Sequence, residues 1–297
     1  MINYSFIIPH KNVPELLERC ILSIPYRADV EIIVVDDCSD DRNKIKNLEC
    51  LKRENVQTIF LAQSKGAGFA RNEGIKIARG KWLLFADADD YYTSDIAYIL
   101  EKYVEDNMTD VVYLNAQSVN EQGITFPLLI GQYIDNYQKC RTYSEKVLRY
   151  ANWVPWTRMV KHEMVNKYSI WYEEVPVGND AMFCLTCSKY AKQIQAESIV
   201  VYNYYKPSAG SCTHHYYKIS NLESMIDLRF RINRLYKETG FVFKQTFIKG
   251  YLEKNKMIDD NEYKRYYKRA LKKNHYSFIK DLFNTIIYYS GKILRIL

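Results

Sequence analysis

Trp82-Leu83-Leu84-Phe85-Ala86-Asp87-Ala88-Asp89-Asp90 sets three carboxylates within four residues directly behind a short apolar run. The run is bounded upstream by Gly80-Lys81, so it reads as a buried strand. Ligands of open α/β sheets bind at the edge where such strands end. Carboxylates this close repel one another and resist desolvation unless a cation balances them. Mg²⁺ or Mn²⁺ binds through one or two carboxylates plus substrate phosphates, so the stretch suits a metal ion carrying a phosphorylated substrate. The alternative is a solvated acidic turn favoured by the N-terminus of a following helix.

Upstream, the same grammar repeats. Tyr4-Ser5-Phe6-Ile7-Ile8-Pro9 is a first strand, and Leu16, Leu17, Cys20, Ile21 and Ile24 mark a helix over 12–24. Val30-Glu31-Ile32-Ile33-Val34-Val35 is a second strand, ending in Asp36-Asp37-Cys38-Ser39-Asp40. A helix-like stretch over 43–53 leads to the strand Thr58-Ile59-Phe60-Leu61, and a further helix is expected over 69–79. This β-α-β-α-β-α-β order with near-continuous apolar strands predicts a mainly parallel sheet covered by helices on both faces. Two of the strands end in paired aspartates, which a parallel sheet would bring to one edge.

Four motifs then stand in order: Ile8-Pro9-His10-Lys11-Asn12, Val34-Val35-Asp36-Asp37-Cys38-Ser39, Ala70-Arg71-Asn72-Glu73-Gly74 and Phe85-Ala86-Asp87-Ala88-Asp89-Asp90. Together they resemble the successive motifs of family 2 glycosyltransferases, GT-A fold enzymes that use nucleotide-activated sugars. The resemblance is specific over the first 95 residues and continues more loosely to about residue 215. It implies a GT-A catalytic domain over 1–217, with a nucleotide-binding half at 1–95 and an acceptor and base half at 96–217. A basic helical region over 218–297 follows.

The resemblance also implies roles. Pro9 lies beside the nucleobase, Asp37 accepts the uracil N–H, Arg71 faces the base or diphosphate, Asp87 meets the ribose, and Asp89 is the direct metal ligand. Ala88 lies between the last two, within the nucleotide site. Asp36 shapes its turn, and Asp90 caps a helix or supports the metal ligand from behind. Lys11 stands where the family usually has Tyr, His10 replaces a small or apolar residue, and Ser64, in the nucleotide site, stands where Asn is frequent.

Further on, Trp156-Thr157-Arg158-Met159 resembles the family's Trp-x-Lys-hydrophobic segment, with Arg158 for Lys. About two dozen residues later the family shows Glu-Asp, and this chain has Asn179-Asp180. Asp180 is the implied general base, and the loss of one neighbouring charge predicts less upshift of its carboxyl. An N-cap of a helix over 181–190 is the other reading of Asp180. Lys206 and Ser211 fit the family's Arg-x4-Ser spacing with Lys for Arg, and imply contacts to the diphosphate. His214 or His215 could add a metal ligand, His214 being the candidate; a polar loop with solvent-facing histidines is equally compatible.

Composition sets the outer bounds. A chain of 297 residues with 47% hydrophobic content can bury a full α/β core plus an appendage. Seven cysteines include Cys184-Leu185-Thr186-Cys187, but this CxxC falls in a helix-like stretch with no second pair, so zinc and redox roles are not expected. The N-terminus enters a strand without a basic-apolar leader, the pattern of a cytoplasmic protein with reduced thiols.

The net charge of +7 is unevenly placed: residues 218–297 carry 18 Lys and Arg against 8 Asp and Glu. Lys264-Arg265-Tyr266-Tyr267-Lys268-Arg269 with Lys272-Lys273 is the densest cluster, and Gly240 is an expected helix stop. Lys280, Asp281 and Asn284 interrupt the apolar positions beyond it, so no transmembrane span is read there. A basic amphipathic end suits peripheral contact with the inner face of an anionic membrane, or an ordinary helix pair. No nucleic-acid recognition module accompanies the charge.

The expected activity is therefore inverting, Mn²⁺- or Mg²⁺-dependent transfer from a nucleotide-sugar, UDP-linked, to a hydroxyl of a saccharide or lipid-linked acceptor in bacterial surface polysaccharide synthesis. Two alternatives stand beside it. One is a catalytically silent GT-A module that binds carbohydrate or a partner. The other is a sugar nucleotidyltransferase, although Pro9-His10-Lys11-Asn12 lacks the Gly-rich opening loop such enzymes carry.

Overall fold

The computed structural model describes residues 1–206, 221–241 and 260–273. The chain divides into two compact units, Met1–Val175 with Asn179–Ser211, and Pro176–Gly178 with Cys212–Leu297. Unit one is built on a nine-stranded sheet.

Its first half follows the apolar runs. β1 (Tyr4–His10), β2 (Val30–Asp36), β3 (Val56–Phe60) and β4 (Trp82–Phe85) are all parallel and lie in the order β3-β2-β1-β4. α1 (Pro14–Ser23), the short α2 (Arg42–Lys46) with a 3-10 turn at Glu49–Lys52, and α3 (Ala67–Ile77) connect them. Every residue of β1, β2 and β4 is buried, as sheets covered on both faces require. The chain runs outward from β1 to β3 and then returns to the other side of β1. Such a reversal opens a crevice at the C-terminal ends of β1 and β4.

Beyond β4 the sheet becomes mixed. β5 (Tyr91–Tyr92), β6 (Val111–Val119), β7 (Thr125–Pro127), β8 (Arg158–Lys161) and β9 (Ile194–Tyr205) continue the order as β4-β8-β6-β9-β5, with β7 on β6. β8 is antiparallel to β4 and to β6, so β6 and its parallel neighbour β9 end on the same edge as β1 and β4. β5 pairs with the end of β9, setting Tyr91 opposite Asn203 and Tyr92 opposite Tyr202. The acidic stretch after β4 is thereby delivered beside the last residues of β9.

α4 (Ile96–Tyr103), α5 (Leu129–Lys139), α6 (Arg141–Tyr150), α7 (His162–Lys167) and α8 (Ala181–Tyr190) complete unit one. Two glycines of α3 matter for packing. A Cβ at Gly74 would stand 2.5 Å from Ile7 Cγ2, and one at Gly68 only 2.2 Å from the carbonyl oxygen of Glu173. These contacts seat α3 against β1 and against the segment that leads to Asp180.

In unit two, α9 (Leu222–Thr239) stops at Gly240, whose φ of +62° is the left-handed cap expected of a terminating glycine. α10 (Asp260–Lys273) exposes Lys264, Arg265, Lys268, Arg269, Lys272 and Lys273, and Lys273 reaches Asp227 of α9 at 3.2 Å. No helix of the described residues is long and apolar enough to cross a membrane.

Candidate active site

Asp36 and Asp37 close β2 and do different work. Asp36 is fully buried; it accepts from Ser39 N–H at 3.0 Å and Ser39 Oγ at 2.5 Å, and lies 2.8 Å from His10 Nδ1. His10 Nε2 accepts from the backbone N–H of Val13 at 3.2 Å, so the proton of the neutral ring sits on Nδ1 and is donated to Asp36. His10 is thus a lock between the ends of β1 and β2. Asn12 and Cys38, just beyond those strands, have φ of +57° and +60°, conformations that side chains adopt where the surrounding contacts impose them.

Asp37 instead faces the loop before α3. Its carboxylate accepts from Ser64 Oγ at 2.7 Å, Lys65 N–H at 2.6 Å and Gly66 N–H at 3.0 Å. A carboxylate has about four lone-pair directions, so this cradle leaves one for a ligand N–H. Ser64 in turn accepts from Lys11 Nζ at 2.7 Å. Two of the departures noted in the sequence, Lys11 and Ser64, therefore form one chain that orients Asp37. Gly66, at φ +88°, supplies the turn and presents the carbonyl that starts α3. Pro9 lies in β1 opposite Val35.

Arg71 projects from α3 into the crevice and is buried. Nη2 donates to Asp87 Oδ1 at 2.5 Å and Nη1 to Asn179 Oδ1 at 3.0 Å, with the guanidinium 5.2 Å above the ring of Tyr172. Burial disfavours the charge, but Asp87, Tyr172 and Asp180 outweigh it and hold the guanidinium firmly protonated. Both terminal nitrogens are engaged within the protein. The neighbouring Asn72 gives and takes backbone hydrogen bonds at Tyr172, 3.0 and 2.8 Å, clasping the start of the same segment.

The acidic stretch is a turn closed by Asp90 N–H to Asp87 carbonyl at 3.0 Å. Tyr202 Oη accepts from Asp87 N–H at 3.0 Å and donates to Asp90 at 2.7 Å, while Tyr205 N–H donates to the other oxygen of Asp90 at 2.7 Å. Asp90 is fully buried, and burial together with Asp87 and Asp89 raises its pKa well above the carboxylate range. It is a clasp onto β9. Asp87 and Asp89 remain partly accessible, with Ala88 buried between them.

Asp89 is pushed up to about 6 by burial and then by the charge of Asp87. That is the electrostatic signature of a carboxylate short of positive charge, and among the described residues its carboxylate makes no ion pair. Two oxygen donors of like charge suit a hard divalent ion better than a soft one. Among the described residues no group of three or more His, Cys, Asp or Glu side chains is placed to hold a metal ion; phosphate and water are further ligands that such an ion ordinarily takes.

Asp180 stands at the N-cap of α8, yet its side chain caps no backbone N–H. The backbone N–H groups of Asp180 and Ala181 nevertheless lie close enough to favour its ionised form. Burial raises its pKa, with Arg71 pulling the other way. The replacement of Glu by Asn179 does not leave it unperturbed, because desolvation is the larger cause. α8 is fixed from behind by two buried arginines. Arg158 donates to the carbonyls of Cys184 and Asn152 at 2.9 and 2.6 Å and to Ser188 Oγ at 3.1 Å; Arg149 donates to the carbonyls of Ser188 and Ala191. Cys184 and Cys187 are buried free thiols of that helix.

Lys206 follows β9, its N–H bonded to the carbonyl of Val119 and its side chain exposed. Ser211 and His214 lie outside the described residues.

The model of glycosyl transferase family 2 matches residues 5–162. The chain belongs to that family. EpsJ of Bacillus subtilis, an uncharacterized glycosyltransferase, is 27% identical over 222 residues, covering 72% of this chain and 64% of EpsJ. Among solved structures, Staphylococcus aureus TarS 1–349 in complex with UDP-GlcNAc matches with a TM-score of 0.63 at 20% identity, over 78% of this chain and 66% of that one. The mannosyltransferase PcManGT from Pyrobaculum calidifontis, in complex with GDP-Man and Mn²⁺, matches with a TM-score of 0.54 at 16% identity, over 78% of this chain and 64% of that one. The chain thus spans just under two thirds of the length of these relatives. For a family 2 glycosyltransferase, the parallel half followed by a mixed half is the GT-A arrangement. The acidic turn after β4 marks the place where its two halves meet.

What the sequence missed in this family 2 glycosyltransferase is the support. Tyr202 sits in the tyrosine-rich run Tyr202-Asn203-Tyr204-Tyr205, but its contact with Asp87 spans 115 residues and no local spacing encodes it. Arg19, Asn72 and Asn179 likewise gain their meaning only once the strands are ordered.

Proposed function

We propose that this family 2 glycosyltransferase is an inverting, metal-dependent enzyme of bacterial surface polysaccharide synthesis. It transfers a sugar from a UDP-sugar to a hydroxyl of a saccharide or lipid-linked acceptor. The observation that carries the proposal is the convergence on one sheet edge of a cradled Asp37, the Asp87–Asp89 pair and an uncapped Asp180, with Arg71 joining the last two regions. The UDP-GlcNAc bound by TarS favours uridine as the base, and the Mn²⁺ bound by PcManGT favours a divalent ion.

In this reading the base lies over Pro9 with its N–H on the remaining lone pair of Asp37, and Ala88 and Asp87 border the ribose. Asp89, aided by Asp87, would hold Mn²⁺ or Mg²⁺, which when bound would offset the charge growing on the departing diphosphate. Lys206 and Ser211 add contacts to that diphosphate, and His214 a further donor to the metal. Arg71 keeps Asp87 aimed. Asp180 accepts the proton of the acceptor hydroxyl while its oxygen attacks the anomeric carbon from the face opposite the leaving group, so configuration inverts. A carboxyl raised by burial is a stronger base than an exposed one, and it becomes competent at a correspondingly higher pH.

The exposed basic face of α10 supports peripheral attachment to an anionic membrane surface on the cytoplasmic side, where a lipid-linked acceptor would be met. The test is UDP release from a panel of UDP-sugars with Mn²⁺ present, comparing wild type with Asp180→Asn. Release by wild type and its loss in the variant support the reading. Equal release by both removes Asp180 from the chemistry.

A further inference from the structure

The acidic turn is also held from a side that none of the four motifs contains. Three residues of the last turns of α1 reach its backbone: Cys20 Sγ lies 3.7 Å from the Asp87 carbonyl, Arg19 Nη2 donates to the Asp89 carbonyl at 2.6 Å, and Ser23 Oγ accepts from Tyr92 N–H at 2.9 Å. Arg19 does more than the other two. Its guanidinium lies between two rings, 4.5 Å from the centroid of Tyr91 and 4.4 Å from that of Tyr205.

Those rings belong to two strands. Tyr91 pairs with Asn203, so Tyr205, two residues on, is its diagonal neighbour on the same face of the β5–β9 pair. Tyr205 also fastens Asp90 through its N–H, and Lys206 follows it directly. One planar cation therefore ties α1, the Asp89 carbonyl and the end of β9 together. Its Nε is buried without a hydrogen-bond partner, a cost borne by the stacked geometry rather than relieved by a carboxylate.

We infer that Arg19 is a positioning residue for the metal end of the site: clamped between Tyr91 and Tyr205, it fixes the backbone of Asp89 and so the aim of that carboxylate. The inference rests on the proposed role of Asp89. A guanidinium is required because only a flat cation can stack on two faces and still direct an in-plane N–H at a carbonyl; an ammonium cannot do both.

The experiment measures binding of UDP by calorimetry at a series of Mn²⁺ concentrations, with uridine as a metal-independent probe of the Asp37 end. Wild type, Arg19→Lys, Tyr205→Leu and the double variant are compared, with thermal unfolding of each. The expected result is a Mn²⁺ requirement shifted about tenfold higher in Arg19→Lys, with uridine affinity and melting temperature close to wild type. Tyr205→Leu should reproduce that shift, and the double variant should be little worse than either single one, because both remove the same clamp. Unchanged Mn²⁺ dependence in Arg19→Lys overturns the inference. So does a parallel loss of uridine affinity or of the folding transition, which would make Arg19 a general structural residue. A wild type whose UDP binding ignores Mn²⁺ defeats the reading of Asp89 itself, and the inference with it.

Discussion

Arg71 and Asp87 meet at 2.5 Å beneath the crevice, and the same guanidinium holds Asn179, the residue before Asp180. The acidic turn and the Asn179-Asp180 segment are thus set against each other by one buried side chain from α3. A lysine there keeps the charge and loses the fork. Arg71→Lys should weaken Mn²⁺-dependent UDP binding at least tenfold and lower any transferase rate by about 10²-fold, since removing one partner of a buried hydrogen-bonded charge pair costs about 2–5 kcal/mol. Calorimetry and a UDP-release assay check both, and wild-type values in the variant would free Arg71 from this role.

Asp180→Asn is isosteric and removes only the capacity to accept a proton. The expected outcome is a fall in kcat of about 10²–10⁴-fold with UDP affinity unchanged, the range general-base catalysis supplies. Because burial raises the Asp180 carboxyl, kcat/KM of wild type should fall on the acid side with a midpoint above the ordinary carboxylate value. Loss of UDP binding in the variant would instead assign Asp180 to the donor site.

On the proposed reading, proton and metal compete for Asp89. Its carboxyl is pushed up to about 6, so it is ionised at pH 7 and mostly protonated at pH 5. The sign follows: Mn²⁺-dependent UDP affinity should be level above pH 7 and weaken about tenfold per pH unit below 6. Calorimetry between pH 5 and 8 tests this, and a flat profile would place the metal elsewhere.

The parallel half of the fold was legible because its strands are apolar runs, two of them ending in Asp pairs; α8 follows Asn179-Asp180 as expected, while α3 runs over Ala67–Ile77, two residues earlier than the spacing suggested. The 43–53 stretch is less regular than its residues suggested: α2 ends at Lys46 and the chain tightens to a 3-10 turn. The mixed half was less visible. β8 is four residues and β5 two, too short for periodicity to register. Within the site, Asp37 and Asp89 could be singled out from motif order. The division of labour between Asp36 and Asp37, or between Asp89 and Asp90, could not, because it depends on Ser39, Ser64, Tyr202 and Tyr205, all brought in by tertiary pairing.

Gly68→Ala tests whether α3 places the segment that carries Asp180. The added Cβ would fall 2.2 Å from the Glu173 carbonyl, a rigid backbone atom, so the 173–180 segment must shift. Destabilisation of about 1–3 kcal/mol is expected, with activity falling further than stability accounts for. A variant with wild-type melting temperature and UDP release would show that the segment tolerates displacement.

The central claim is that Asp89 couples a divalent ion to UDP binding. Calorimetry of UDP with and without Mn²⁺, on wild type and Asp89→Ala, tests it directly. The predicted result is tight binding by wild type only with Mn²⁺, and loss of that dependence in Asp89→Ala. UDP binding that is indifferent to Mn²⁺ in wild type, or equally metal-dependent in the variant, would contradict it.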